Sequence, residues 1–518
     1  MKRLPLMLAL VALGLYLALP MGRFFSDSHY LLGRVANGAP PYYNVAYLPL
    51  GQLADLVLGG WLGTERALEV LSALGVATGV GLTVAIARRL GCGVPGQLTA
   101  GALLALAPGA LFFAGVIEVH ALQLPGAGAA VLLALVAADR RPGQAWALIA
   151  LAGGVALASH ISHALLLPGL LVLAWGREAD AVEAGPGGML ERPGRDRRGL
   201  ALGPAGVPWL LGLAILASGA AVWLAVTDFD TWSVHPGLQW LGTLQVFGER
   251  FLSSLGERGP FEPREVLAYL HLELVVPLAL LLVGLVAGPI LVALREEPTE
   301  HGPARRRFAL RALVACVPAF LVLPQGGVLE HGGYFLTLGP LLAVLVGLAV
   351  DRSIAGGAGR GGAPLVQVAA LGLVLAQALL ALEVRSAFRE RPDARAWSAA
   401  AAAVIEPGDS ALVSTLARNF ALAADESEVH VRDLARDMDM EPDRGRAELL
   451  QQVLAGRLSD ARFPGDLWFD GELLPSWPES PGEEASAWRS KLHELLATSP
   501  APVEVVGEEP FRLIVVRR

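Results

Sequence analysis

Eleven apolar runs, each near the length that crosses a bilayer, decide what this chain can fold into. A helix needs about 20 such residues to pass through hydrocarbon. The runs are Leu4–Met21, Ala67–Ala87, Leu98–Phe113, Ala121–Ala138, Ala145–Ser159, Ala164–Trp175, Pro208–Val226, Leu272–Leu294, Phe308–Leu323, Tyr334–Val350 and Leu365–Leu382. The fifth and sixth are short, and either suits a re-entrant half-span. A hydrophobic share of 54%, a charged share of 17% and a mean hydropathy of +0.52 lie outside the range of soluble domains. The expected fold class is an α-helical polytopic membrane protein with about eleven transmembrane helices.

Arginines give the sidedness, because cytoplasmic loops retain positive charge. With the amino terminus in the cytoplasm, the inner loops hold Arg88 and Arg89, Arg140 and Arg141, and the group Arg177, Arg192, Arg195, Arg197 and Arg198. They also hold Arg295, Arg305 to Arg307, Arg311, Arg352 and Arg360, whereas the outer loops keep Arg23, Arg34, Arg250, Arg258 and Arg264. Met1-Lys2-Arg3 ahead of an apolar run also fits a signal peptide, and its cleavage would leave the same sidedness downstream. The expected location is a bacterial-type inner or plasma membrane. A net charge of -8 offers no basic stripe for nucleic acid. Cys92 and Cys316 are far apart and fit no ligand spacing.

Composition changes after Leu382, giving a membrane domain over 1–383 and a small soluble α/β domain over 384–518, outside the cell membrane. In that tail Ala394–Ile405, Arg444–Leu458 and Ser486–Ala497 read as helices. Ala411–Ser414, Val429–Arg432, Asp466–Phe469, Val503–Val506 and Arg512–Val516 read as strands. The inner segment 176–207 is Gly/Pro/Arg-rich and reads as disordered. The aromatics of the outer segment 227–265 suit a helix lying at the interface against lipid.

On this topology His29, His120, His160, His163, His235, His271 and His331 all fall at or near the outer face. Acids accompany three of them: Asp27 beside His29, Glu118 beside His120, and Glu330 beside His331. Ionisable groups at membrane depth are costly and mark a cavity or substrate path. His160 and His163 are three apart and share a helix face. Glu118 and His120 are two apart, so both face inward only across an irregular turn.

A transferase working outside the cell has no nucleotide sugars and needs a donor already anchored in the bilayer. A polyprenyl-phosphate-linked sugar meets that need and brings its own leaving group. One carboxylate then suffices as general base for an inverting displacement. Asp27, in the first outer loop, is the expected base, with Glu118 and His120 as further catalytic candidates. His29, Tyr42, Tyr43, Asn44, His160, His163, Glu330, His331 and Arg264 are the expected substrate-binding residues. Guanidinium groups of Arg23, Arg34 or Arg264 match phosphate oxygens. The departing phosphate needs cationic or metal help; no cofactor is assigned from the sequence, and a divalent metal is a candidate. The expected partners are the lipid-linked sugar, membrane lipid and an acceptor glycan, lipid or protein.

Three stretches resemble the GT-C superfamily of polytopic glycosyltransferases, and within it the protein O-mannosyltransferase-like branch. They are Asp27 with the Pro/Tyr-rich Gly38–Leu50, then Gly115–Leu122, then Ala158–His163 running into Leu167-Pro168-Gly169. The resemblance implies a lipid-phosphate sugar donor and a catalytic acid in the first outer loop, at Asp27. Where many of those enzymes carry two adjacent carboxylates, this chain has Ser26-Asp27-Ser28-His29. The main alternative is a non-catalytic transporter or flippase of lipid-linked glycans. Transporters, however, gather polar residues at the bilayer midplane, often in repeated halves, and the sequence has neither feature. A zinc hydrolase is disfavoured because no His-Glu-x-x-His spacing occurs.

Overall fold

The computed structural model describes residues 3–24, 28–38, 46–174, 308, 311–312, 336–357, 363–390, 394–406, 409–413, 430–433, 466–470, 492–494, 496–499, 502–507 and 513–517. They belong to two compact units. One takes Met1–Met21, Gly38–Gly115 and Val119–Ser386; the other takes Gly22–Asn37, Val116–Glu118 and Ala387–Arg518.

The chain opens with α1 (Leu4–Ala18) and α2 (Ser28–Ala36), the latter in the second unit. Next come α3 (Tyr47–Ala54), a π-helical turn over Asp55–Gly59, α4 (Gly60–Leu62), α5 (Thr64–Arg89), α6 (Val94–Ala105) and α7 (Pro108–Ala114). A 3₁₀ turn at Val119–Leu122 leads into α8 (Gln123–Ala137) and α9 (Pro142–Ser159). A second 3₁₀ turn at Ile161–Leu166 precedes α10 (Leu167–Ala174), and α11 (Gly339–Gly357) and α12 (Ala363–Glu390) follow. Among the described residues, five helices are long and apolar enough to cross a membrane, or six if α6 and α7 count as one broken span.

That broken span corrects the sequence reading, which took Leu98–Phe113 as one helix. The two parts meet at 59°. Proline disfavours a helical conformation in the residue before it, and Ala107 is extended, with φ -63° and ψ 135°. The expected run Ala164–Trp175 is also different: it starts as a 3₁₀ turn and becomes α-helical only at Leu167. The first helix is shorter than its run, ending at Ala18 just before Pro20. The segment Tyr47–Leu62, left unassigned from sequence, is helical almost throughout and exposes Leu56, Val57 and Trp61. The runs Pro208–Val226 and Leu272–Leu294, nearly all of Phe308–Leu323, the segments 176–207 and 227–265 and the helix Arg444–Leu458 lie outside the described residues.

Glycine sets how closely the first unit packs. In hydrocarbon, apolar surface gains little by leaving lipid, so helices associate through close van der Waals fit at small residues. A Cβ on Gly96 of α6 would stand 2.5 Å from the carbonyl oxygen of Gly347 on α11, so the two backbones touch there. Gly79 of α5 admits Leu124 of α8 in the same way, its missing Cβ lying 2.5 Å from the Leu124 Cβ. Asp351 of α11 caps α6 across the same crossing: its Oδ1 accepts the Gly93 N–H at 2.9 Å. Gly93 is the N-cap residue, and no side chain of its own caps the helix. The span in α11 is 78% buried and that in α12 only 11%, so α11 is central and α12 presents most of its surface outward.

The second unit holds α13 (Ala394–Ala402) and strands β1 (Ser410–Val413), β2 (His430–Asp433), β3 (Leu467–Asp470), β4 (Val503–Val506) and β5 (Leu513–Val516). The sheet order is β2-β1-β3-β5-β4. β1 is parallel to both β2 and β3, and β5 runs antiparallel to β3 and β4. Trp397, Ala401 and Ile405 recur every four residues and form one face against Ala411, Trp468, Leu513 and Val515. Asp409 joins the strand starts. Its Oδ1 accepts the Asp466 N–H at 2.8 Å and its Oδ2 accepts the Trp468 indole N–H at 2.8 Å.

Two outcomes follow for stability. Gly96→Val forces α6 from α11 and costs roughly 1–3 kcal/mol, read as a lowered melting temperature of the detergent-solubilised protein. Asp409→Ala leaves the buried Trp468 N–H without its acceptor, a loss of roughly 1–3 kcal/mol. Faster amide hydrogen exchange across Leu467–Asp470 reports it, while Asp409→Asn retains part of the protection.

Candidate active site

Backbone irregularity builds the site. After α7 ends at Ala114 the chain bends through residues 115–118 before the 3₁₀ turn at Val119–Leu122. The Met21 N–H donates to the Gly115 carbonyl at 3.2 Å, which fixes the start of the bend. A Cβ at Gly115 would meet the Met21 Cγ at 2.8 Å. The bend is the irregular turn that the Glu118–His120 spacing called for, and both side chains are buried, Glu118 at 2% and His120 at 5% exposure. Glu118 belongs to the second unit and His120 to the first.

In the first unit His120 meets residues of the next hairpin. Gln123 Nε2 and His120 Nδ1 are 2.6 Å apart. The His120 ring lies 4.9 Å from that of His160, tilted by 36°, and meets the Phe113 ring edge-on at 4.9 Å. His160 caps the end of α9 in an extended conformation, and the 3₁₀ turn after it folds His163 back onto that helix. The His163 ring is then 6.5 Å from the His160 ring. Its Nδ1 donates to the Ala156 carbonyl at 2.7 Å and lies 3.0 Å from the Ser159 hydroxyl. Gly126 of α8 makes room, since a Cβ there would collide with Ser159. Thr337, just ahead of α11, donates to Gln123 Oε1 at 3.4 Å. Three sequence-predicted histidines, His120, His160 and His163, are therefore brought together. Gln123 and Thr337 were not anticipated.

Burial keeps His160 and His163 neutral. Burial, then the neighbouring His120 and His163, push His160 well below the usual imidazole range. Burial lowers His163 to about 4, against the opposing pull of the Ala156 and Gln123 carbonyls. Neutral imidazoles and an amide can orient a polar substrate without carrying net charge into the bilayer.

In the second unit Ser28, fully buried at the start of α2, donates its hydroxyl to the Ile117 carbonyl at 2.8 Å. Ser28 follows Asp27 in the chain and Ile117 precedes Glu118, so this bond ties together the two motifs that carry the predicted acids. His29 packs against Phe24, ring centroids 4.0 Å apart and nearly perpendicular. Arg34 stacks over the Tyr30 ring at 5.7 Å. Asp27, Tyr42, Tyr43, Asn44, Arg264, Glu330 and His331 lie outside the described residues, as do His235 and His271. Among the described residues no group of three or more His, Cys, Asp or Glu is arranged to hold a metal ion.

Compared with known proteins, the chain matches no protein-family model and no curated protein. Solved structures do match. Against the mycobacterial arabinofuranosyltransferase AftD the TM-score is 0.50 at 19% identity, over 100% of this chain and 41% of that one. The chain shares its fold with that part of AftD. ArnT from Cupriavidus metallidurans aligns over 99% of this chain and 97% of its own at 15% identity. Its TM-score is 0.45 in the apo state and 0.42 bound to undecaprenyl phosphate. The five or six long apolar helices among the described residues mark the chain as an integral membrane protein.

The histidine cluster predicts a pH dependence. In the folded protein His160 and His163 resist protonation, whereas unfolded histidines titrate near 6.5. Between about 4 and 6.5 the unfolded chain thus binds more protons, and stability rises with pH. The melting temperature of the detergent-solubilised protein should fall on acidification through that window, and His163→Gln should flatten the fall.

Proposed function

We propose that this protein is a membrane glycosyltransferase that moves a sugar from a polyprenyl-phosphate donor to an acceptor hydroxyl on the extracytoplasmic face. Asp27 is the general base. It takes the hydroxyl proton as the acceptor oxygen attacks the anomeric carbon. The bond from that carbon to the phosphate oxygen breaks, polyprenyl phosphate departs with its electron pair, and the anomeric configuration inverts. Glu118, in the same unit as Asp27, assists it, and His120, Gln123, His160 and His163 of the first unit are a buried polar cluster suited to binding polar groups.

The observation that carries this reading is the Ser28–Ile117 hydrogen bond, which couples the first outer loop to the Glu118 segment. The fold shared with a membrane arabinofuranosyltransferase supports the reaction class. Sidedness rests on the arginine distribution, with the amino terminus cytoplasmic and the tail outside. The O-mannosyltransferase-like placement rests on the three sequence stretches that resemble that branch.

The test is transfer by the purified protein in lipid nanodiscs, with polyprenyl-phosphate-linked mannose and arabinose as donors and envelope glycans as acceptors. Asp27→Asn and Glu118→Gln should each lower kcat by roughly a hundredfold or more with folding intact, the range typical of a lost acid–base group. Full transfer by Asp27→Asn would remove it as the base. Movement of donor across the membrane without transfer would instead favour a flippase.

A further inference from the structure

The helical segment Tyr47–Leu62 turns most of its large apolar side chains outward. Leu50, Leu53, Val57 and Trp61 recur every three or four residues and so line one face. With Leu56 and Leu62 beside them, all are exposed, Leu56 to 82% and Trp61 to 92%. Tyr47, Leu48 and Gly51 are buried on the other side. Asp55, the only charged residue of the segment, follows Leu48 and Gly51 on that side and is half-buried. Gly59 leaves room for its carboxylate, which a Cβ there would strike. A contiguous apolar face of this kind marks a contact surface.

The two ends fix how the segment lies. The Ala46 N–H donates to the Ala158 carbonyl at 3.0 Å, in the last turn of α9. Gly63, with φ 80°, turns the chain directly into α5. Counted along the chain, α5 crosses the bilayer, the broken span α6–α7 returns, α8 crosses again and α9 returns. The end of α9 and the start of α5 are therefore on one membrane face. The ring of His120, just ahead of α8, against that of His160, at the end of α9, agrees with this count. A helix of roughly 24 Å, tied to the same face at both ends, runs along that face and not through it.

We propose that Tyr47–Leu62 is an in-plane anchor, set sideways into the leaflet on this face, with the acyl chains of membrane lipid covering Leu53, Leu56 and Val57. Trp61, at its end, is a side chain that the boundary between headgroups and hydrocarbon favours. The segment has no Lys or Arg and one acid, so apolar insertion holds it and attraction to anionic headgroups does not. This surface is independent of the glycosyltransferase reading.

The test uses the full-length protein in phosphatidylcholine vesicles, with Cys92 and Cys316 replaced by alanine and one new cysteine at a time carrying a nitroxide. Leu56→Cys and Val57→Cys are compared with Leu371→Cys, exposed on the apolar span of α12, and with Arg140→Cys, exposed between α8 and α9. Leu53→Cys supplies a further reading if either label lowers the melting temperature. Dissolved oxygen concentrates in hydrocarbon and a nickel chelate in water. Labels at 56 and 57 should meet oxygen in excess of nickel, as at Leu371→Cys, with the reverse at Arg140→Cys. Exchange of part of the lipid for phosphatidylglycerol should leave the ratios unchanged. Excess nickel collisions place the face in water and overturn the proposal. Few collisions with either reagent mean that protein covers it, a second copy included, and overturn it as well. Ratios that rise with phosphatidylglycerol overturn apolar insertion as the force that holds the segment.

Discussion

A backbone inside hydrocarbon has no water to bond, so every amide must find its partner within the segment. That constraint decides where chemistry can be in this chain. Long helices fill the apolar runs, and irregular backbone appears where they end. Bends at 115–118, and 3₁₀ turns at Val119–Leu122 and Ile161–Leu166, interrupt the helices. The buried polar side chains His120, Gln123 and His163 are on or beside these interruptions. A regular helix would point Glu118 and His120 in different directions; the bend lets both be buried two residues apart.

Much of this was legible in the sequence because hydrophobic runs and turn residues act locally. The helices of the apolar runs follow from length and composition, whereas the break before α7 at Ala107-Pro108 was missed, because an apolar run hides a single proline. The strands of the tail begin and end within a residue of the positions that short apolar runs mark. The three histidines were noticed because imidazoles are rare in apolar surroundings. Gln123 escaped because an uncharged amide in an apolar run gives no local signal, and its partner Thr337 is supplied by a helix far along the chain. Tyr47–Leu62 escaped for another reason: Pro49 and the Gly59-Gly60 pair interrupt its apolar pattern, yet the structure is helical across them.

The two units are stabilised by different means. In the first, glycine allows backbones to touch, and polar groups act singly as caps, as Asp351 does for Gly93. In the second, a conventional core of Trp397, Trp468 and aliphatic residues covers the sheet, and one buried carboxylate, Asp409, joins the strand starts. Water expels the core of a soluble fold but does little between helices in lipid, so fit must replace it there.

The contact between Gly96 and Gly347 has a mechanical consequence. With main chain against main chain and no intervening layer of side chains, α6 cannot slide along α11 without driving a neighbouring residue into the opposing backbone. The Asp351 cap pins the same pair lengthwise. These two helices thus behave as a single stiff beam, and any movement within this unit has to come from the parts around that beam rather than from the beam itself.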